Sequence, residues 1–114
     1  MEFKEILFQV EGGIATMTLN RADTRNVITH PDMIAEIQAA CAQVNADLDI
    51  RVLVITATDP AFSSGGNVKD MKNRTGMFAG TPAELVEQYR KNLQEVLLAV
   101  YNVEVPTIAA VNGS

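Results

Sequence analysis

The sequence lacks most of what disulfide-built, zinc-built or nucleic-acid-binding proteins depend on. Cys41 is its only cysteine, so no internal disulfide can form. With Cys41 and His30 each the only residue of its kind, zinc frameworks of four cysteines or of several Cys and His together are excluded, and no sign of a Ser-His-Asp triad is present. Positive charge is also scarce: 9 basic residues stand against 14 acidic ones, for a formal net charge of −5. That balance argues against a nucleic-acid-binding face and, less strongly, against an anionic membrane surface. A few local cations could still hold a phosphate group. No apolar run approaches the roughly 20 residues of a membrane span. The first residues, Met1-Glu2-Phe3-Lys4-Glu5, carry acid and no long apolar stretch, unlike a secretory signal or an Arg-rich transit peptide. The expectation is a cytoplasmic protein with no metal, no nucleic-acid partner and no membrane span.

The chain does hold enough aliphatic residues for a core. Its 114 residues are 47% hydrophobic, which suits one globular domain or a piece of one. Residues 6–10 read as a strand, Glu11-Gly12-Gly13 as a turn, and residues 14–19 as a second strand with apolar and polar positions alternating. A β-hairpin follows from that pattern. A helix is predicted from Pro31, capped by Thr29 or His30. Its apolar stripe would run through Ile34, Ile37, Cys41, Val44 and Leu48 at spacings of three and four. Val52-Leu53-Val54-Ile55 reads as a strand buried on both faces of a parallel sheet. Residues 67–71 suggest a short helix, and residues 72–80 a mobile loop.

Thr81-Pro82-Ala83-Glu84 carries the marks of a helix start with a capping box, and Leu85, Tyr89, Leu93, Val96 and Val100 continue one stripe. Thr107 to Val111 reads as another short buried strand leading into a turn at Asn112-Gly113. The order of hairpin, helix, strand, helix and strand implies an α/β fold with parallel strands. The sequence stops at Ser114, where a strand has just entered a turn. Functional loops in α/β proteins lie at such strand ends, so a larger domain is expected.

One segment has the makings of chemistry. Gly65-Gly66 follows a predicted buried strand and precedes the predicted short helix. Adjacent glycines allow a sharp turn and close approach of a ligand to the main chain. The first amides of a helix lack intrahelical partners and favour an anion or an oxyanion. From local pattern alone, a purely structural turn is the favoured reading. The segment is neither a phosphate-binding Walker loop nor a dinucleotide fingerprint, since no Gly-Lys-Ser/Thr and no Gly-x-Gly-x-x-Gly occurs there.

Three ordered blocks then carry a resemblance. Ala61-Phe62-Ser63-Ser64-Gly65-Gly66-Asn67-Val68-Lys69-Asp70-Met71 is similar to the first oxyanion-hole motif of the crotonase (enoyl-CoA hydratase/isomerase) family. Leu19-Asn20-Arg21 with Arg25-Asn26-Val27-Ile28 resembles the segment after that family's second strand, with Ala22 where the family usually has Pro. Val105-Pro106-Thr107-Ile108-Ala109-Ala110-Val111-Asn112-Gly113 resembles the strand leading into its second oxyanion motif. The resemblance spans essentially the whole chain. It implies the family's α/β spiral (ClpP-like), made of repeated ββα and βαβ units. Residues 1–114 would be the leading part of such a domain, with its second half absent.

The resemblance also implies an activity: processing of an acyl-CoA thioester, most of all hydration or isomerisation of enoyl-CoA. Two backbone amides would stabilise the enolate-like oxyanion. Gly66 would supply the first, and the second would come from beyond Gly113. Thr24, Arg25, Val27, Ser64, Gly65, Gly66, Asn67 and Val68 would line the CoA site. No cofactor is implied beyond the coenzyme A of the substrate. Family members commonly form trimers or hexamers through later helices, so a homo-oligomer is expected of a full-length protein. The family's catalytic acids also lie further along, so the 114-residue chain alone is expected to be inactive.

Several residues keep a second reading. Arg25 is equally a solvated loop arginine, and Lys69 suits a helix surface better than a CoA phosphate. Met71 and Met77 suit packing as well as an acyl pocket. Asp70, Glu84 and Glu87 are read as surface or capping acids, and His30 as a capping or solvated residue. Two alternative functions stay open. One is a non-catalytic CoA-binding or docking module. The other is a different reaction of the same family, such as that of a hydrolase, dehalogenase, decarboxylase or ring-forming synthase.

Overall fold

The computed structural model describes residues 2–114. Strand β1 (Ile6–Glu11) and strand β2 (Ile14–Leu19) form the expected hairpin, in antiparallel register with Glu11 opposite Ile14. Gly12 and Gly13 both have positive φ, at 60° and 81°. A two-residue loop with that geometry matches the twist of the paired strands. Side chains of β2 alternate as predicted, with Ala15, Met17 and Leu19 buried.

Helix α1 (Pro31–Ala46) begins where expected and buries Ile34, Ile37, Cys41 and Val44. Leu48 is not on that stripe. The helix ends at Ala46, the Asp47 carboxylate accepts from the Asp49 N–H at 3.0 Å, and Leu48 is left 93% exposed in the turn. His30 is the N-cap: its Nδ1 accepts from the Asp32 N–H at 3.2 Å. Thr29 lies buried instead.

Strand β3 (Val52–Ala57) pairs in parallel with β2, and strand β4 (Thr107–Ala109) in parallel with β3, giving the sheet order β1-β2-β3-β4. Two expectations need correction here. Only Leu53 and Ala57 of β3 are buried, on the face they share with the half-buried Ile55, and the residues of the other face are all half-buried. All three residues of β4 are exposed, because it is an edge strand with no layer packed over it among the described residues.

Helix α2 (Val68–Asn73) is capped by Asn67, whose side chain accepts from the Asp70 N–H at 3.0 Å. The stretch read as a mobile loop is folded down. A single 3-10 turn, Gly76–Phe78, buries Met77 and Phe78. Helix α3 (Pro82–Gln88) has the complete capping box of Thr81 and Glu84. It passes through one wide π turn, Tyr89–Leu93, into helix α4 (Gln94–Tyr101), where an uninterrupted α-helix was expected. The core lies between the sheet and α1, with Ile6, Met17, Met33, Val44 and Leu53 fully buried and Val96 of α4 closing one end.

A buried acid ties α1 to the start of β1. Glu36 on α1 is buried, and its Oε1 accepts from the backbone N–H groups of Lys4, Glu5 and Ile6 at 2.7, 2.8 and 3.3 Å. Buried carboxylates are rare unless paired. This one serves as the anchor for the start of β1.

Candidate active site

The connections leaving β2 and β3 run side by side. Val27 and Gly65 form a parallel bridge. The Ile28 N–H donates to the Gly65 carbonyl and the Ser64 N–H to the Arg25 carbonyl, both at 2.9 Å. The Ser63 hydroxyl donates to the Asn26 carbonyl at 2.8 Å, and that of Ser64 to the Thr24 carbonyl at 3.3 Å.

Asn26 locks this pairing. It is fully buried, with φ of 57°, a left-handed conformation that Asn tolerates better than most residues. Its Oδ1 accepts from the Arg21 N–H at 2.7 Å, and its Nδ2 donates to the Thr58 and Ala61 carbonyls at 3.0 and 2.8 Å. One side chain therefore joins the exit of β2 to the exit of β3. Asn26 was visible only as a letter within the resembling block. Its role has no local sequence signal, since all its partners but one lie more than 30 residues away.

Between these two connections opens a cleft of about 500 Å³. Thr24, Arg25, Val27, Ser64, Gly66, Asn67 and Val68 border it, together with Asp23 and Lys69. Gly65 does not reach the cleft; its part is conformational, with φ of 76°. Both cations at this cleft, Arg25 and Lys69, are exposed.

The backbone amides around the turn have distinct fates. The Ser64 N–H is bonded to Arg25, the Gly65 N–H donates to Ser63 Oγ at 3.0 Å, and the Asn67 N–H donates to Thr29 Oγ1 at 3.2 Å. The Gly66 N–H has no hydrogen-bond partner among the described residues, and Gly66 borders the cleft. A half-buried amide without a partner is one that a ligand oxygen can engage. On its α-carbon side, Gly66 is hemmed by Met71: an added Cβ would lie 2.5 Å from Met71 Cε and 3.6 Å from Phe78 and Thr29.

The segment after β4 is drawn to the same place. Asn112 Nδ2 donates to the Ala57 carbonyl at 2.8 Å, and the Ser114 carbonyl accepts from the Phe62 N–H at 2.7 Å. Gly113 sits so close to Pro60 that a Cβ there would meet the Pro60 carbonyl oxygen at 2.7 Å.

A second cleft, also about 500 Å³, shares Thr24, Val27 and Asn67 with the first and is lined as well by Met77, Gln88 and Asn92. Arg21 borders it, with its guanidinium held by Glu5 at 2.6 Å and bidentately by Asp23 at 2.9 and 3.0 Å. Those bonds raise the arginine pKa further and hold the Asp23 carboxyl below its ordinary range. Glu5, His30 and Asp32 bring ligand-type atoms within 4.8 Å of one another. Glu5 is already paired with Arg21 and His30 Nδ1 with the Asp32 amide, so their grouping has an explanation without a metal.

Comparison with known proteins decides the family. The enoyl-CoA hydratase/isomerase family matches residues 9–114. The chain belongs to that family. It is 32% identical, over 113 residues, to a probable enoyl-CoA hydratase of Mycobacterium tuberculosis, covering 99% of this chain and 41% of that protein. It is 30% identical, over 114 residues, to a crotonyl-CoA hydratase of Syntrophomonas wolfei, with the same coverage of 99% and 41%. Among solved structures, a probable enoyl-CoA hydratase/isomerase from Mycobacterium abscessus superposes with a TM-score of 0.74 at 29% identity, covering 96% of this chain and 38% of the other. The α/β architecture is thus that of the crotonase fold. The chain spans about two-fifths of the length of the curated relatives it matches. No helix among the described residues is long and apolar enough to cross a membrane.

Proposed function

We propose that this chain forms the leading part of an acyl-CoA-processing enzyme, in the first instance an enoyl-CoA hydratase or isomerase. The single observation that supports this best is the unpartnered Gly66 N–H beside a cleft bordered by Thr24, Arg25, Val27, Ser64, Asn67 and Val68. In this reading the thioester carbonyl of an acyl-CoA accepts a hydrogen bond from Gly66. Charge builds on that oxygen as the substrate becomes enolate-like, and the bond strengthens with it. Such preorganised donors act on the transition state more than on the ground state.

The nucleotide and pantetheine would lie along residues 24–27 and 64–68, with Arg25 and Lys69 near enough to the mouth to meet phosphate. Coenzyme A enters as part of the substrate, and the reading requires no separate cofactor. A second amide donor and the acids that move protons at carbon would come from other residues of a complete enzyme. The anchoring of Asn112 to Ala57 and of Ser114 to Phe62 favours a neighbouring segment as their source. A homo-oligomer and a cytoplasmic setting complete the proposal.

The test is a pair of substitutions in the complete protein that contains this chain. Gly66→Pro removes the amide hydrogen. Gly66→Ala keeps it and adds a methyl against the flexible, partly exposed end of Met71. Gly66→Pro is expected to lower kcat by about 10²–10³, the usual effect of one lost oxyanion donor, and Gly66→Ala to retain most activity. Equal rates for a folded Gly66→Pro variant and wild type would remove the basis of the assignment.

A further inference from the structure

The second cleft carries an inference about the acyl group, and it rests on the acyl-CoA reading above. The two clefts share Thr24, Val27 and Asn67 in their walls, and Asn67 directly follows Gly66. A thioester seated at the Gly66 amide with its CoA in the first cleft has the second cleft available for its acyl chain. The lining of that cleft includes Gln88, the last residue of α3, and Asn92, within the wide π turn that follows. Tyr89 is pinned within the turn by edge-to-face contact with Phe78, ring centroids 5.8 Å apart. Wide turns of this kind are uncommon and often found at functional sites.

Gln88 and Asn92 are bonded to each other, Asn92 Nδ2 to Gln88 Oε1 at 2.8 Å. After that bond each amide keeps one end unused: a donor on Gln88 and an acceptor on Asn92, with no other partner among the described residues. A hydroxyl group both donates and accepts, and so fits such a pair. A carboxylate fits less well, because it cannot donate to the Asn92 oxygen, and the Arg21 guanidinium bordering this cleft is already taken by Glu5 and Asp23. A plain alkyl chain would leave the amide pair without a ligand partner.

We propose that Gln88 and Asn92 form a polar acyl-selecting pair, which favours acyl-CoA substrates carrying an uncharged hydroxyl away from the thioester over plain alkyl ones of the same length. Both residues lie on the helix surface, away from the core, so replacing them should leave the fold intact.

The test is calorimetric binding of butanoyl-, hexanoyl- and octanoyl-CoA and their terminally hydroxylated analogues to the complete protein, wild type and Gln88→Leu/Asn92→Leu. Saturated ligands make the result independent of which family reaction the enzyme performs. Wild type should bind the hydroxylated member of at least one pair about tenfold more tightly, the worth of one or two net hydrogen bonds. The double variant should lose or reverse that preference. Because the readout is a ratio of two affinities in one protein, a reduced folded fraction does not alter it. Equal binding within every pair, or a preference unchanged by the double substitution, overturns the inference and leaves the acyl-CoA reading standing. Absence of binding by every acyl-CoA overturns that reading and the inference with it.

Discussion

Asn26→Ala is expected to be among the most damaging single substitutions in this chain, although Asn26 neither belongs to a helix or strand nor contributes an apolar side chain to the core. The replacement removes three side-chain hydrogen bonds, to the Arg21 N–H and the Thr58 and Ala61 carbonyls. Ala61 is itself buried, so its carbonyl has little access to water once the amide is gone, at a cost of about 2 kcal/mol. Arg21 and Thr58 are half-exposed, so their freed groups can rehydrate, and each lost bond costs about 1 kcal/mol. Alanine at a φ of 57° adds about 1 kcal/mol that asparagine largely avoids. The whole effect is on the order of 5 kcal/mol, comparable with the entire stability of many domains.

Urea denaturation of the complete protein, followed by far-ultraviolet circular dichroism with linear extrapolation, measures it. Asn26→Gly separates the contributions: it loses the same hydrogen bonds without the backbone strain, and should recover about 1 kcal/mol relative to Ala. An Asn26→Ala variant less than about 1 kcal/mol below wild type, inside the range of an ordinary surface change, would refute the reasoning. It would mean that the two connections hold together without their shared side chain.

Other outcomes follow from features elsewhere. Glu36→Ala, which leaves the amides of Lys4, Glu5 and Ile6 without their acceptor, is expected to cost about 3 kcal/mol, and Glu36→Gln, which keeps an oxygen there, about 1 kcal/mol. Thermal melts of the two variants should separate in that order, and coincident melting temperatures would count against the anchor. Burial pushes the Cys41 thiol up to about 11. The folded state thus holds the proton longer than the unfolded chain does. Its contribution to stability is complete below the ordinary thiol range and is lost as pH rises through that range toward 11. Urea midpoints of wild type minus those of Cys41→Ala should fall across that window, and a flat difference would show that the thiol is not held this way. At neutral pH a thiol reagent should label native protein slowly and unfolded protein fast.

Much of this architecture could be read from residue order, for reasons that are local. Gly12-Gly13 fixes a two-residue hairpin turn, Pro31 with its preceding residue marks the start of α1, and Thr81 with Glu84 spells out a capping box. All three act within four residues of chain. What could not be read depends on distant partners. The period of the α1 stripe fits Leu48 as well as Val44, but the helix stops at Ala46, and the Asp47 carboxylate accepts from the Asp49 amide in the turn beyond it. Residues 72–80 look polar enough for a free loop, yet Met77 and Phe78 find a buried surface that only the folded chain supplies. The stripe through Tyr89 and Leu93 gives no hint of the wide turn. In the site, glycine at 65 and 66 pointed to a turn from local pattern alone. That the Gly66 amide is the one left unpaired depends on Arg25, Ser63 and Thr29 taking its neighbours.

The walls of the first cleft leave the sheet at one edge, after Leu19 and after Ala57, while the packed faces of β2 and β3 lie further back along the same strands. Substitutions at Ala15 or Leu53 bear on whether the molecule holds its shape, and those in the two exits bear on how wide its mouth stands. The framework and the aperture are separate stretches of the same ribbon, so selection can retune what is gripped while leaving the scaffold as it was.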